Sequence, residues 1–217
     1  MIPTQATSLL INKLTGDLKP FETISEEKLV GQWAAISVPL LILVKLFVNS
    51  RPDLTEQLKN VEFYSNIILL SIAIIYLLKM AILSTIPGRE YEESKALKTA
   101  LLAAGIVMVA YIILIAKDIH LATFHADNGI RCSLEIMMLG SIPLGVLMSL
   151  IKKNTLFRPH VTGMISAAGM ILVGTVWLYF SCPVDTAFHL LTWHMGPILV
   201  ASIVGYFVGK LVLFSKK

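Results

Sequence analysis

Long apolar runs separated by short polar stretches set the pattern of this chain. Six of them cover residues 33–48, 61–83, 96–116, 132–151, 162–181 and 193–214. A hydrocarbon layer about 30 Å thick takes roughly 20 apolar residues in a helix, so each run predicts a membrane span, the first being the shortest. None alternates with the period of two that a barrel strand requires, and only helices or closed barrels satisfy the backbone polar groups in lipid. The expected fold is therefore all-α, a polytopic membrane bundle of six helices. Pro39, Pro143 and Pro197 fall inside or beside spans, where a proline is expected to kink a helix rather than end it.

Ahead of the first span, Leu10, Ile11, Leu14 and Leu18 recur at helical spacing, with Asn12, Lys13 and Asp17 on other faces. This predicts a short amphipathic helix ending at Pro20. A helix that short is marginal alone in water. It needs a surface: the lipid interface, its own bundle or a partner's groove. Its polar face carries no excess of basic residues, which argues against the lipid. The chain thus divides into a cytoplasmic segment, residues 1–30, and a six-helix transmembrane domain, residues 31–217.

Composition sharpens this reading. With 56% hydrophobic and 15% charged residues, the chain is too apolar for an ordinary soluble domain. The basic residues then give an orientation. A cytoplasmic N-terminus places thirteen of the 18 lysines and arginines inside and leaves only Lys45, Arg51, Lys59, Lys117 and Arg131 outside. Positive residues concentrate on the cytoplasmic side of membrane proteins, so both termini are expected inside. The same bias accounts for the net charge of +4 without invoking nucleic acid. The first run lacks a small-residue cleavage pattern and reads as an anchor, not a signal peptide. Ala201, Gly205 and Gly209 repeat every fourth residue in the last span, as do Gly163 and Ala167 in the fifth, which predicts that another backbone approaches each stripe closely.

The chain has two cysteines. Cys132 opens the fourth span and Cys182 ends the fifth, so both are expected on the outer face, at the two ends of a helical hairpin. Adjacent helix ends can bring cysteine Cα atoms within the 4.4–6.8 Å of a disulfide, and an extracytoplasmic compartment permits oxidation. Arg131 favours a thiolate at Cys132, whereas Glu135, one turn further on, opposes it or accepts a hydrogen bond from the thiol. His120, His125, His189 and His194 also fall on the outer side. Thiolates and imidazoles together bind copper or zinc. No pair has the close spacing of a zinc motif, so a metal site would have to be assembled in space. On the residues alone a structural disulfide, a pair of inert thiols, a redox pair and a metal site all stay open. No Cys-x-x-Cys, phosphate loop, nucleophile elbow or HExxH motif is present, and an enzyme is not expected.

Several segments together carry a resemblance. They are Leu10-Ile-Asn-Lys-Leu14-Thr-Gly-Asp17-Leu18-Lys-Pro20-Phe21, Cys132-Ser-Leu-Glu135-Ile136, Arg158-Pro159, Gly163-Met-Ile-Ser-Ala-Ala-Gly169, Tyr179-Phe-Ser-Cys182, Asp185-Thr-Ala-Phe188 and Trp193. The chain resembles the NrsF family, six-helix anti-sigma factors of the bacterial inner membrane. The middle spans agree with that family in hydropathy only.

The resemblance implies a multi-pass inner-membrane anti-sigma factor. Such a protein holds an extracytoplasmic-function sigma factor on the cytoplasmic side and releases it when outer cysteines sense oxidative or metal stress. It implies that Cys132 and Cys182 are the sensor pair, and that Leu10, Leu14, Asp17, Leu18 and Pro20 belong to the sigma-binding surface. The partners are then the sigma factor and the lipid bilayer, without direct contact to nucleic acid. No cofactor is expected beyond a transition-metal ion acting as the signal. The alternative function is a small membrane transport or metal-handling protein using the outer cysteines and histidines.

Overall fold

The computed structural model describes residues 9–11, 13, 15–16, 25–86, 88–117, 126–152 and 158–213. The described elements are all helical: α1 (Glu26–Lys45), the single turn α2 (Leu54–Gln57), α3 (Val61–Leu83), α4 (Glu90–Lys117), α5 (Ala126–Ile151) and α6 (Pro159–Tyr179). A last helix, α7, starts with the α-turn Ala187–His189 and passes through a π-helical segment, Leu190–Met195. It returns to α-helix over Gly196–Val208 and ends in a second π segment, Gly209–Leu213. Six helices, all but α2, are long and apolar enough to cross a membrane.

The bounds of α3 match the apolar run. α1, α4 and α5 start ahead of their hydrophobic stretches, in charged sequence, because charged residues suit helix ends. The Ser25 side chain accepts the backbone N–H of Lys28 at 3.4 Å, and Glu26 and Glu27 occupy the first turn of α1. α1 therefore starts seven residues before the apolar run. α4 likewise opens on Glu90, Glu92 and Glu93 and closes on Lys117. Acidic groups in a first turn and basic ones in a last turn complement the helix dipole.

α6 is the most buried of the six spans, packed against α3, α5 and α7. Its small residues make this possible. A Cβ on Gly163 would stand 2.3 Å from the Gly205 carbonyl oxygen, and one on Gly205 would stand 2.5 Å from Ala167 Cβ. The two stripes predicted from the sequence thus face each other across α6 and α7. A second seam escaped the sequence reading. A Cβ on Gly174 would lie 2.3 Å from the Ile136 carbonyl oxygen, and one on Gly140 would lie 2.7 Å from Ile171 Cα, so α5 and α6 touch backbone to backbone.

The remaining helices wrap this core. α4 packs along α3, and α1 packs on α5, where Trp33 donates its indole N–H to the Pro143 carbonyl at 3.1 Å. At the end of the bundle where α3 stops and α4 and α6 start, Ser84 and Thr162 share a buried hydroxyl hydrogen bond of 2.7 Å. Glu26 of α1 reaches Lys79 at 3.5 Å and Arg89 at 3.8 Å there. In the N-terminal segment, residues 9–11, 13 and 15 are helical. Leu9, Leu10 and Ile11 are exposed. Leu14, Asp17, Leu18 and Pro20, and with them the predicted end of this helix, lie outside the described residues.

Candidate thiol and imidazole site

The seam between α5 and α6 sets the position of the cysteines. Cys132 lies eight residues before Gly140, and Cys182 eight residues after Gly174. In an antiparallel hairpin, equal steps from a point of contact reach the same level. Ile136 and Leu178, halfway along, pack in one cluster with Cys182 and Cys132. The Cys132 thiol donates to Cys182 Sγ at 3.6 Å. Both cysteines are unbridged, Cys182 buried and Cys132 half-buried.

The π-helical segment of α7 brings two histidines to the same place. At about 100° per residue, positions five apart on an α-helix diverge by about 140°. A π-helix closes its hydrogen bonds between i and i+5 and so stacks residues five apart. His189 precedes this segment and His194 lies within it. Their rings meet edge to face at 5.2 Å. Pro197 helps to account for the irregularity, since it has no N–H to return to the Trp193 carbonyl four residues back. Ser133 of α5 donates its hydroxyl to that carbonyl at 2.8 Å, and Thr175 of α6 donates to the His194 carbonyl at 3.1 Å.

Four potential donor side chains therefore converge. Sγ of Cys132, Sγ of Cys182 and one ring nitrogen each from His189 and His194 all lie within 4.8 Å of one another. His189 Nε2 is 3.6 Å from Cys182 Sγ. His194 is fully buried, edge to face with Tyr179 at 5.9 Å; neither of its ring nitrogens makes a full hydrogen bond, and Cys182 is the polar group it faces. The Cys182 thiol is pulled below the ordinary thiol range, first by the hydrogen bond from Cys132 and then by the imidazoles, against the opposing effect of burial.

A cavity of about 540 Å³ opens onto the two sulfurs from the other side. Phe47, Val48 and Asn49 after α1, Met138, and Ser181 and Val184 around Cys182 line it, together with Arg131 and Glu135. Arg131 Nε donates to Glu135 Oε1 at 3.0 Å. The two opposite charges predicted beside Cys132 are thus spent largely on each other. The other two histidines predicted on this face, His120 and His125, lie outside the described residues.

Arg51 was read from the sequence only as one of the few outer basic residues, and it does far more. Its side chain is wholly buried and holds Asp53 at 2.7 and 2.8 Å and Asp185 at 2.8 Å, with a second bond from Nη2 to Asp185. Its backbone N–H donates to the Phe180 carbonyl at 3.1 Å. Asp53 is held down to about 2, chiefly by the Arg51 hydrogen bond, and the Arg51 guanidinium is raised by Asp185 and Asp53. This clasp ties the segment between α1 and α3 to the one that carries Cys182. Only the scarcity of charge in so apolar a chain hinted at it.

Among curated proteins no match is found, and no solved structure matches. A family model described as negative regulator of sigma F matches residues 14–214. That stretch takes in all six span-length helices and all four converging side chains, and the chain belongs to the NrsF family, negative regulators of sigma F.

Proposed function

We propose that the chain is a bacterial inner-membrane anti-sigma factor that binds an extracytoplasmic-function sigma factor on the cytoplasmic side and releases it when Cys132 and Cys182 change state. Membership of the family of negative regulators of sigma F supports a sigma factor as partner. The observation that carries the sensing role is the approach of the two sulfurs to 3.6 Å beside a cavity of about 540 Å³. An oxidant or a thiophilic ion has a way in, and the thiols need little movement to respond. Exposed Leu9, Leu10 and Ile11 at the opposite end of the sequence suit a docking helix. The positive residues favour the orientation with both termini inside, which puts the cysteines on the oxidising side.

Loss of two thiol protons and two electrons to an oxidant would join the sulfurs as a disulfide; capture of an ion would bridge them without electron transfer. Either event changes how the ends of α5 and α6 fit together. The test is co-purification of the cytoplasmic partner with the full-length protein, with and without oxidant. Release from the wild type but not from Cys132→Ser/Cys182→Ser supports the reading. Equal release from both removes the cysteines from the mechanism.

A further inference from the structure

We infer that His189 and His194 complete, with Cys132 and Cys182, a tetrahedral Cys₂His₂ site for a zinc-class transition-metal ion. The two shortest separations fit an ion at the centre and exclude a disulfide. Zinc bonds of about 2.3 Å to sulfur and about 2.0–2.1 Å to nitrogen give tetrahedral edges of roughly 3.8 Å between sulfurs and roughly 3.6 Å from sulfur to nitrogen. The Cys132–Cys182 and Cys182–His189 separations are both 3.6 Å. A disulfide would need the sulfurs at about 2.05 Å.

The independent observation is His194. An imidazole with no accessible surface and neither nitrogen fully hydrogen-bonded is costly to bury. One of its nitrogens lies within 4.8 Å of both sulfurs, facing Cys182, and a metal bond would replace that weak contact with a strong one. The site is also held in shape. Ser133 and Thr175 fix the carbonyls of the π segment from which His194 projects, so the backbone that carries the imidazole is held in place. On binding, each thiol gives its proton to solvent and each imidazole donates a lone pair, and no electron is transferred. Two thiolates and two imidazoles in a tetrahedral array suit zinc among the common divalent ions.

This site gives the sensing reading above its ligand, and it makes a demand that a disulfide switch does not. Disulfide formation requires only the cysteines, whereas metal binding requires the histidines. The experiment titrates Co(II), a spectroscopic stand-in for Zn(II), into the reduced, detergent-solubilised full chain. The expected result is one Co(II) per chain, with tetrahedral d–d bands and thiolate-to-cobalt charge transfer that Zn(II) abolishes. His194→Phe and His189→Ala are each expected to weaken binding at least roughly tenfold, and His160→Ala, near Tyr206, to leave it unchanged.

Formation of the 132–182 disulfide by diamide in the histidine variants checks that this end of the bundle is folded. Absence of a tetrahedral spectrum in the reduced wild type overturns the site. So does undiminished binding in folded His194→Phe. Metal binding with release of the sigma factor under neither metal nor oxidant upholds the site and overturns the sensing reading; oxidant-driven release from a protein that binds no metal does the reverse.

Discussion

Arg51 is the residue whose role the sequence concealed most completely. An arginine just past a span, beside Pro52 and Asp53, reads as a loop charge. Folding buries it under two carboxylates and fastens it to the carbonyl of Phe180, two residues before Cys182. Arg51→Met leaves both carboxylates without their partner and is expected to cost on the order of 1–3 kcal/mol, read as lower thermal stability in detergent. It should also slow diamide-driven joining of the cysteines. The pH dependence has a definite sign. Asp53 is lowered from 3.8 to about 2, so its contribution is complete above the ordinary carboxylate range and is lost as pH falls from 3.8 through about 2. The stability difference between wild type and Asp53→Asn should therefore stay constant from about pH 8 to about pH 5 and shrink as pH falls from about 4 to about 2. A difference that does not shrink between about pH 4 and about pH 2 would show that the carboxylate is not held by Arg51.

The helices themselves were largely legible, because twenty apolar residues in a row have few other uses. The spans at 61–83 and 132–151 recur closely in α3 and in the apolar part of α5. Charged helix ends were not legible from hydropathy, since capping by Ser25 and the acidic first turn of α4 follow a different rule from lipid solubility. The two small-residue faces of the α6–α7 seam could be read from their four-residue repeats, though not that they meet each other. The α5–α6 seam could not, because Gly140 and Gly174 belong to no four-residue repeat of small residues and meet only across the hairpin. Nor could the pairing of His189 with His194, since a spacing of five joins one face only where a helix widens to π.

The seam is expected to control the thiols. Gly174→Val, with its Cβ against the Ile136 carbonyl, should push α5 from α6 and cost on the order of 1–3 kcal/mol. Disulfide formation between Cys132 and Cys182 should slow with it. Gly145→Val, on the same hairpin with nothing within 4 Å of its Cβ, should leave the rate unchanged. Comparable rates in the two variants would contradict the role of the seam.

For the whole molecule, α6 is the element that joins the two ends. Its 21 residues rise about 30 Å. Cys182 follows its C-terminus, while near its N-terminus Thr162 bonds Ser84 and the Glu26, Lys79 and Arg89 pairs gather the starts of α1 and α4. Close backbone contact on two sides leaves α6 little room to deform locally, so a change at the sulfurs would move it as a rod. Coupling free energies of about 1–3 kcal/mol are typical between distant sites and change affinity about 5- to 150-fold. A sigma factor bound at the far end would feel a shift of that size. On the same argument, Ser84→Ala/Thr162→Val should weaken the response without abolishing disulfide formation, as read by comparing partner release with thiol titration on one sample.

The most direct measurement is the affinity of the sigma factor for the full-length protein in nanodiscs, in the reduced state and after the cysteines have been joined by diamide. A fall of about 5- to 150-fold in the wild type, and none in Cys132→Ser/Cys182→Ser, is the predicted result. An unchanged affinity in wild-type protein whose disulfide has formed, or an equal fall in the double variant, would contradict it.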